Sequence, residues 1–139
     1  MNTPLRLLPA ALLLAACAND PVAADAPARS HTPDASATPE QLTDRIAAAK
    51  QIRVLPRRDG AWHAIALDAA ASGHAETCGK ALASFYDLGD RDRTAESCAV
   101  LLADRDQLAD ANRIAMTIRN LERRDQVLAR IAAGPGGDR

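Results

Sequence analysis

Leu55-Pro56-Arg57-Arg58-Asp59-Gly60-Ala61-Trp62-His63-Ala64-Ile65-Ala66 returns in outline as Leu88-Gly89-Asp90-Arg91-Asp92-Arg93-Thr94-Ala95-Glu96-Ser97-Cys98-Ala99. It returns again as Leu121-Glu122-Arg123-Arg124-Asp125-Gln126-Val127-Leu128-Ala129-Arg130-Ile131-Ala132. The offset is 33 residues both times, and four columns are identical in all three copies: Leu55, Leu88 and Leu121; Arg58, Arg91 and Arg124; Asp59, Asp92 and Asp125; Ala66, Ala99 and Ala132. Other columns keep their character, as in Ile52, Phe85 and Ile118, in Ile65, Cys98 and Ile131, and in Leu42, Ala75 and Leu108. A unit of this length is one supersecondary element that buries its apolar face against its neighbours.

The register implies two helices per unit. Leu108, Ala111, Ala115, Ile118 and Leu121 recur at spacings of three and four, which aligns them on one helical face. Thr38-Pro39-Glu40-Gln41 supplies a capping hydroxyl, a proline at the first helical position and a glutamine three after the cap, so order is expected to begin there. Gly73, Gly89 and Asp104-Arg105-Asp106 mark turns, and Pro56 is expected to stop the first helix. Six helices are expected, near residues 39 to 55, 59 to 71, 74 to 88, 92 to 103, 107 to 121 and 124 to 133.

The expected fold class is all-α, a short α-solenoid of helix hairpins. Helix pairs at this period resemble tetratricopeptide and related α-solenoid proteins, over Thr38 to Ala133. The chain lacks the Trp, Gly and Tyr positions of the tetratricopeptide signature, and its period is one residue short, so the resemblance implies an architecture and no particular family. A compact bundle from a duplicated hairpin is the alternative.

Each Arg-Asp pair is expected at a joint, the arginine closing one helix and the aspartate capping the next. The chain has one Trp, one Tyr and one Phe, so its Ala-rich core offers little apolar area per residue and modest stability is expected. Phe85, in a column with Ile52 and Ile118, is assigned to the core, and Trp62, in a column with Ala95 and Leu128, to the packing between units. Tyr86 shares its column with Arg53 and Arg119. A surface row of Arg, Tyr and Arg is the candidate partner-binding strip, because these residue types are enriched where interfaces concentrate energy.

Catalysis is not expected. His63 and His74 stand in no zinc or hydrolase spacing, and Asp68 lies five residues after His63, off its helical face. No metal, cofactor or catalytic residue is therefore assigned. With 17 basic against 18 acidic residues, and one of the basic ones in the N-terminal segment, there is no field to draw nucleic acid.

Leu14-Ala15-Ala16-Cys17 closes an apolar run that begins after Arg6 and is too short to span a bilayer. It resembles the lipobox of bacterial lipoproteins. The resemblance implies a signal peptide over residues 1 to 16, lipidation of Cys17 by a diacylglyceryl thioether, and acylation of the new amino terminus. An ordinary signal peptide cleaved nearby is the alternative. Ala18, in place of the aspartate that retains such proteins at the inner membrane, implies outer-membrane attachment facing the periplasm.

Residues 17 to 38, rich in Ala, Pro, Asp, Ser and Thr, are expected to form a disordered tether in which His31 is solvated. The helical repeat domain is expected over 39 to 133 and a flexible tail over 134 to 139. In an oxidising periplasm Cys78 and Cys98 form a possible disulfide, although helix geometry staggers them by about 6 Å in height. The function this supports is a non-catalytic interaction module for a periplasmic or envelope protein. An inhibitor or immunity-type lipoprotein that binds one periplasmic enzyme is the alternative.

Overall fold

A computed structural model describes residues 31–134. These are all helical apart from turns and connections, with no strand: α1 (Pro39–Lys50), α2 (Leu55–Ala71), α3 (Ala75–Leu82), α4 (Leu88–Ala103), α5 (Leu108–Ala115) and α6 (Leu121–Ala133). The number and order of helices match expectation, but the boundaries shift. Helices α1, α3 and α5 end at Lys50, Leu82 and Ala115 instead of 55, 88 and 121. Helices α2, α4 and α6 begin at Leu55, Leu88 and Leu121, three or four residues ahead of the expected starts.

The caps explain the shift. Asp87 accepts the amide of Asp90, and Asn120 that of Arg123, so each side chain satisfies a free donor and starts its helix at the following leucine. Pro56 stops nothing. It sits in the first turn of α2, where its missing amide would have had no intrahelical partner. The short helices end where the hydroxyls of Ser84 and Thr117, one unit apart, bond back to the carbonyls of Lys80 and Ile114. Thr38 and Gln41 form the anticipated reciprocal capping box.

Helix α4 packs against both α2 and α6, while α3 and α5 lie alongside. Ala66, Ala99, Ala95 and Ala69 are fully buried, and their small side chains let α2 and α4 approach closely. Phe85 joins the core, as expected, and Trp62 is buried with it. Each long helix closes through one left-handed residue: Gly73 at φ 80 after α2, and Asp106, 33 residues on, at φ 61 after α4. His74 N–H then reaches back to the carbonyl of Ala69 and Gln107 N–H to that of Leu102, satisfying last-turn acceptors.

Two expectations are corrected. His31 is not solvated and residues 31 to 38 are not a free tether: Ala37 is buried, and His31 is bonded to α2. The Arg-Asp pairs do not stand at joints between helices either, because Asp59 and Asp92 lie inside α2 and α4 and cap nothing in their own helix.

Candidate functional site

Asp59 and Asp92 do cap free amides, but those of the loop that follows. One Asp59 oxygen accepts the amide of Tyr86 at 3.0 Å and the other that of Asp87 at 2.8 Å. One unit later, Asp92 Oδ2 accepts the amides of Arg119 at 3.0 Å and Asn120 at 3.1 Å. The Arg91 guanidinium bonds to Asp92 Oδ1 at 2.8 Å and to the carbonyl of Thr117 at 2.9 Å, so the Arg91-Asp92 pair grips both donors and an acceptor of the loop before α6. Burial works to raise the pKa of Asp92, but the Arg91 hydrogen bond and the amides of Asn120 and Arg119 outweigh it and hold the carboxyl below its ordinary value.

The consequence for the candidate strip is geometric. Each aspartate draws the loop ahead of the next long helix onto its own, so the starts of α2, α4 and α6 line one edge of the molecule. Arg53, Tyr86 and Arg119 occupy equivalent loop positions along it with exposed side chains, and Tyr86 is 68% exposed. Val54, Leu88 and Leu121 on the same edge are exposed as well. Sequence columns pointed to the residues of this edge; the backbone bonds that align it gave no signal short of knowing which carboxylate reaches which loop.

A second polar cluster went unrecognised in the sequence. Asp68, 1% exposed, accepts from Arg45 at 2.6 Å, binds His31 Nε2 at 2.7 Å and receives the amide of Asp34 at 2.7 Å. The Ser72 hydroxyl adds a bond to the Asp34 carbonyl at 3.0 Å. Asp68 thereby fastens residues 31 to 37 over the end of α2. A signal was present: Arg45 stands in the column of Cys78 and Ala111, and Asp68 in that of Leu101, so polar residues of the first unit replace apolar ones.

Near this cluster, His63 Nδ1 lies 2.9 Å from Thr94 Oγ1, whose hydroxyl is already given to the Asp90 carbonyl at 2.8 Å. Thr94 can therefore only accept from the ring, which places the proton on Nδ1. Burial, with the charge of His31 second and Asp90 opposing, lowers the His63 pKa. Among the described residues no group of three or more His, Cys, Asp or Glu side chains is arranged to hold a metal.

Cys78 and Cys98 are both fully buried free thiols. They face each other despite the axial stagger expected from the sequence: a hydrogen bond from Cys78, then burial, then its charge, push the Cys98 thiol well up. Cys17 lies outside the described residues, and no described helix is long and apolar enough to cross a membrane. Compared with protein-family models, with curated proteins and with solved structures, the chain matches none significantly.

Proposed function

We propose that this chain is a lipoprotein anchored through Cys17 to the outer membrane and facing the periplasm, whose helical part is a short α-solenoid of 33-residue hairpins acting as a non-catalytic protein-interaction module. The observation that supports the interaction role is the loop edge. Val54, Tyr86, Leu88 and Leu121 are large apolar or aromatic side chains left exposed along it, between Arg53 and Arg119. Exposed apolar groups gathered on one edge mark a surface that another molecule covers, and tyrosine and arginine supply much of the energy where they do. Because buried carboxylates hold two of the three loops, the edge is presented ready-shaped, and its partner need not order it.

The anchor rests on the lipobox resemblance of Leu14-Ala15-Ala16-Cys17. More than one acyl chain is needed for stable attachment, at about 0.8 kcal/mol per buried methylene. Purification of the acylated protein from membranes, wild type beside Tyr86→Ala combined with Arg119→Ala, tests both parts. Co-purification of envelope proteins that is lost in the double variant supports the module; co-purification unchanged by it removes the loop edge from the proposal. A single periplasmic or secreted enzyme as sole partner replaces the module with the inhibitor or immunity role. Cys17→Ala is expected to leave an uncleaved or soluble product, and a variant that still fractionates with outer membranes overturns the anchor.

A further inference from the structure

The joint between units has two unlike sides. One side offers a carboxylate from the long helix, and the other offers two successive backbone amides from the loop ahead of the next long helix. At the C-terminal end of the described residues the first side is present, and none of them lies on it. Asp59 and Asp92 are each 6% exposed, whereas the side chain of Asp125 in the same column is 75% exposed and keeps only a 3.8 Å approach from Arg124. Neighbouring columns tell the same story: Leu42 and Ala75 are buried and Leu108 is exposed, and Ala66 and Ala99 are buried and Ala132 is exposed. A helical array that ends on itself needs a polar outer face on its last repeat, and this one keeps the aspartate, leucine and alanine of the stacking columns.

At the other end the second side is present. Arg53 and Val54 hold the positions of Tyr86-Asp87 and Arg119-Asn120, and no described residue receives their amides. Gly60, one turn into α2, has open space where a side chain would stand. The segment fastened by Asp68 covers the far end of α2 and leaves this loop accessible.

We propose that a second copy of this chain docks head to tail, with Asp125 of one copy accepting the Arg53 and Val54 amides of the next. The occupant follows from the fit. Among the described residues one carboxylate and one amide pair are left spare, in the columns whose members join units within a copy. Such a contact is heterologous, so it builds a ring or an open row instead of a two-fold dimer. The inference rests on the solenoid arrangement proposed above, which the stability of Asp92→Ala tests in a single copy.

The test is the mass of the full chain in non-ionic detergent, by sedimentation velocity over a range of concentration, with micelles in excess so that anchors share one only through protein contact. The wild type should grow in mass with concentration. Asp125→Arg should weaken association at least tenfold with unchanged thermal stability, because Asp125 holds nothing within its own copy. Val54→Pro should do the same: proline lacks the amide hydrogen and accepts the φ of −80 found there. Mixing the two variants should give a one-to-one dimer that grows no further, since each retains the side the other lacks. A wild type that stays monomeric, or an Asp125→Arg variant that associates as strongly, overturns the proposal. A mixture that does not dimerise overturns the head-to-tail geometry.

Discussion

The Asp92 carboxylate accepts the backbone amide of Arg119 at 3.0 Å across 27 residues of chain. The same bond, at the same length and separation, joins Asp59 to Tyr86 one unit earlier. A buried carboxylate that satisfies two amides ties each hairpin to the next by main-chain groups, which any loop sequence can supply. That is why Tyr86 and Arg119 can differ in side chain while their loops are held alike.

Asp92→Ala should therefore destabilise the domain by about 3 kcal/mol, since it strands two amides and leaves Arg91, only 15% exposed, without its carboxylate. Asp125→Ala should change stability by less than about 0.5 kcal/mol in dilute solution. Urea or thermal denaturation of the two variants checks the contrast. Equal losses would mean that the column acts within each helix and not across the joint.

Asp68→Ala should cost about 2 kcal/mol, because the Asp34 amide loses its acceptor while Arg45 and His31, partly exposed, regain water. His31→Ala should cost clearly less, since Arg45 and the Asp34 amide still satisfy the carboxylate. Proteolysis within residues 31 to 38 should accelerate in Asp68→Ala, and unchanged protection there would remove the clamp from the account.

Asp106→Gly should stabilise the chain by about 1 kcal/mol. It relieves a left-handed backbone at φ 61 in the column where the first unit already uses glycine. Gly73→Ala should act oppositely: besides the strain at φ 80, its Cβ would stand 3.2 Å from Arg105 Nε and from Gln107 Oε1, and Gln107 also donates to the Gly73 carbonyl. Melting temperatures of the pair decide it, and a destabilised Asp106→Gly would show that the aspartate side chain contributes more than the strain costs.

Stability should fall as pH drops below 6.5, the ordinary value for the group. The fold lowers the His63 pKa, so the neutral ring is favoured in the native state and the unfolded chain takes up its proton first. The stabilisation is complete above 6.5 and declines through the range down to the folded pKa. His63→Gln should flatten this part of the profile in melts at pH 7.5 and 5.5. Asp92, also lowered, adds a separate loss only below its ordinary 3.8. A His63→Gln profile parallel to the wild type would assign the dependence elsewhere.

If the chain is exported as proposed, Cys78 and Cys98 should be found joined, because an oxidising compartment bridges a facing pair of thiols. Thiol labelling after unfolding without reductant should then count none. The bond would close a loop worth about 3 kcal/mol in the chain-entropy model. Two labelled thiols would leave the pair as buried, protonated small hydrophobes, in keeping with the raised pKa of Cys98.

The 33-residue period and the three-and-four spacing of Leu108, Ala111 and Ala115 were enough to place six helices in order, because burying one face of a helix writes a periodic signature into local sequence. The columns also singled out Asp59, Asp92 and Asp125 as special, and Arg53, Tyr86 and Arg119 as a surface row. Helix ends were less legible. Pro56 and the Arg-Asp pairs suit either side of a helix start, and the choice fell to Asp87 and Asn120, whose capping bonds depend on a φ/ψ that no single residue type dictates.

Only the tertiary structure decided what each carboxylate holds. An aspartate binds whatever donors the fold brings to it, and those of Asp59, Asp92 and Asp68 arrive from 27 residues downstream in the first two cases and 34 residues upstream in the third. The helical period was present in the chain itself because it is a property of near neighbours. The partners were absent from it because a hydrogen bond across a joint is specified by distance in space, which exists only once the helices have packed.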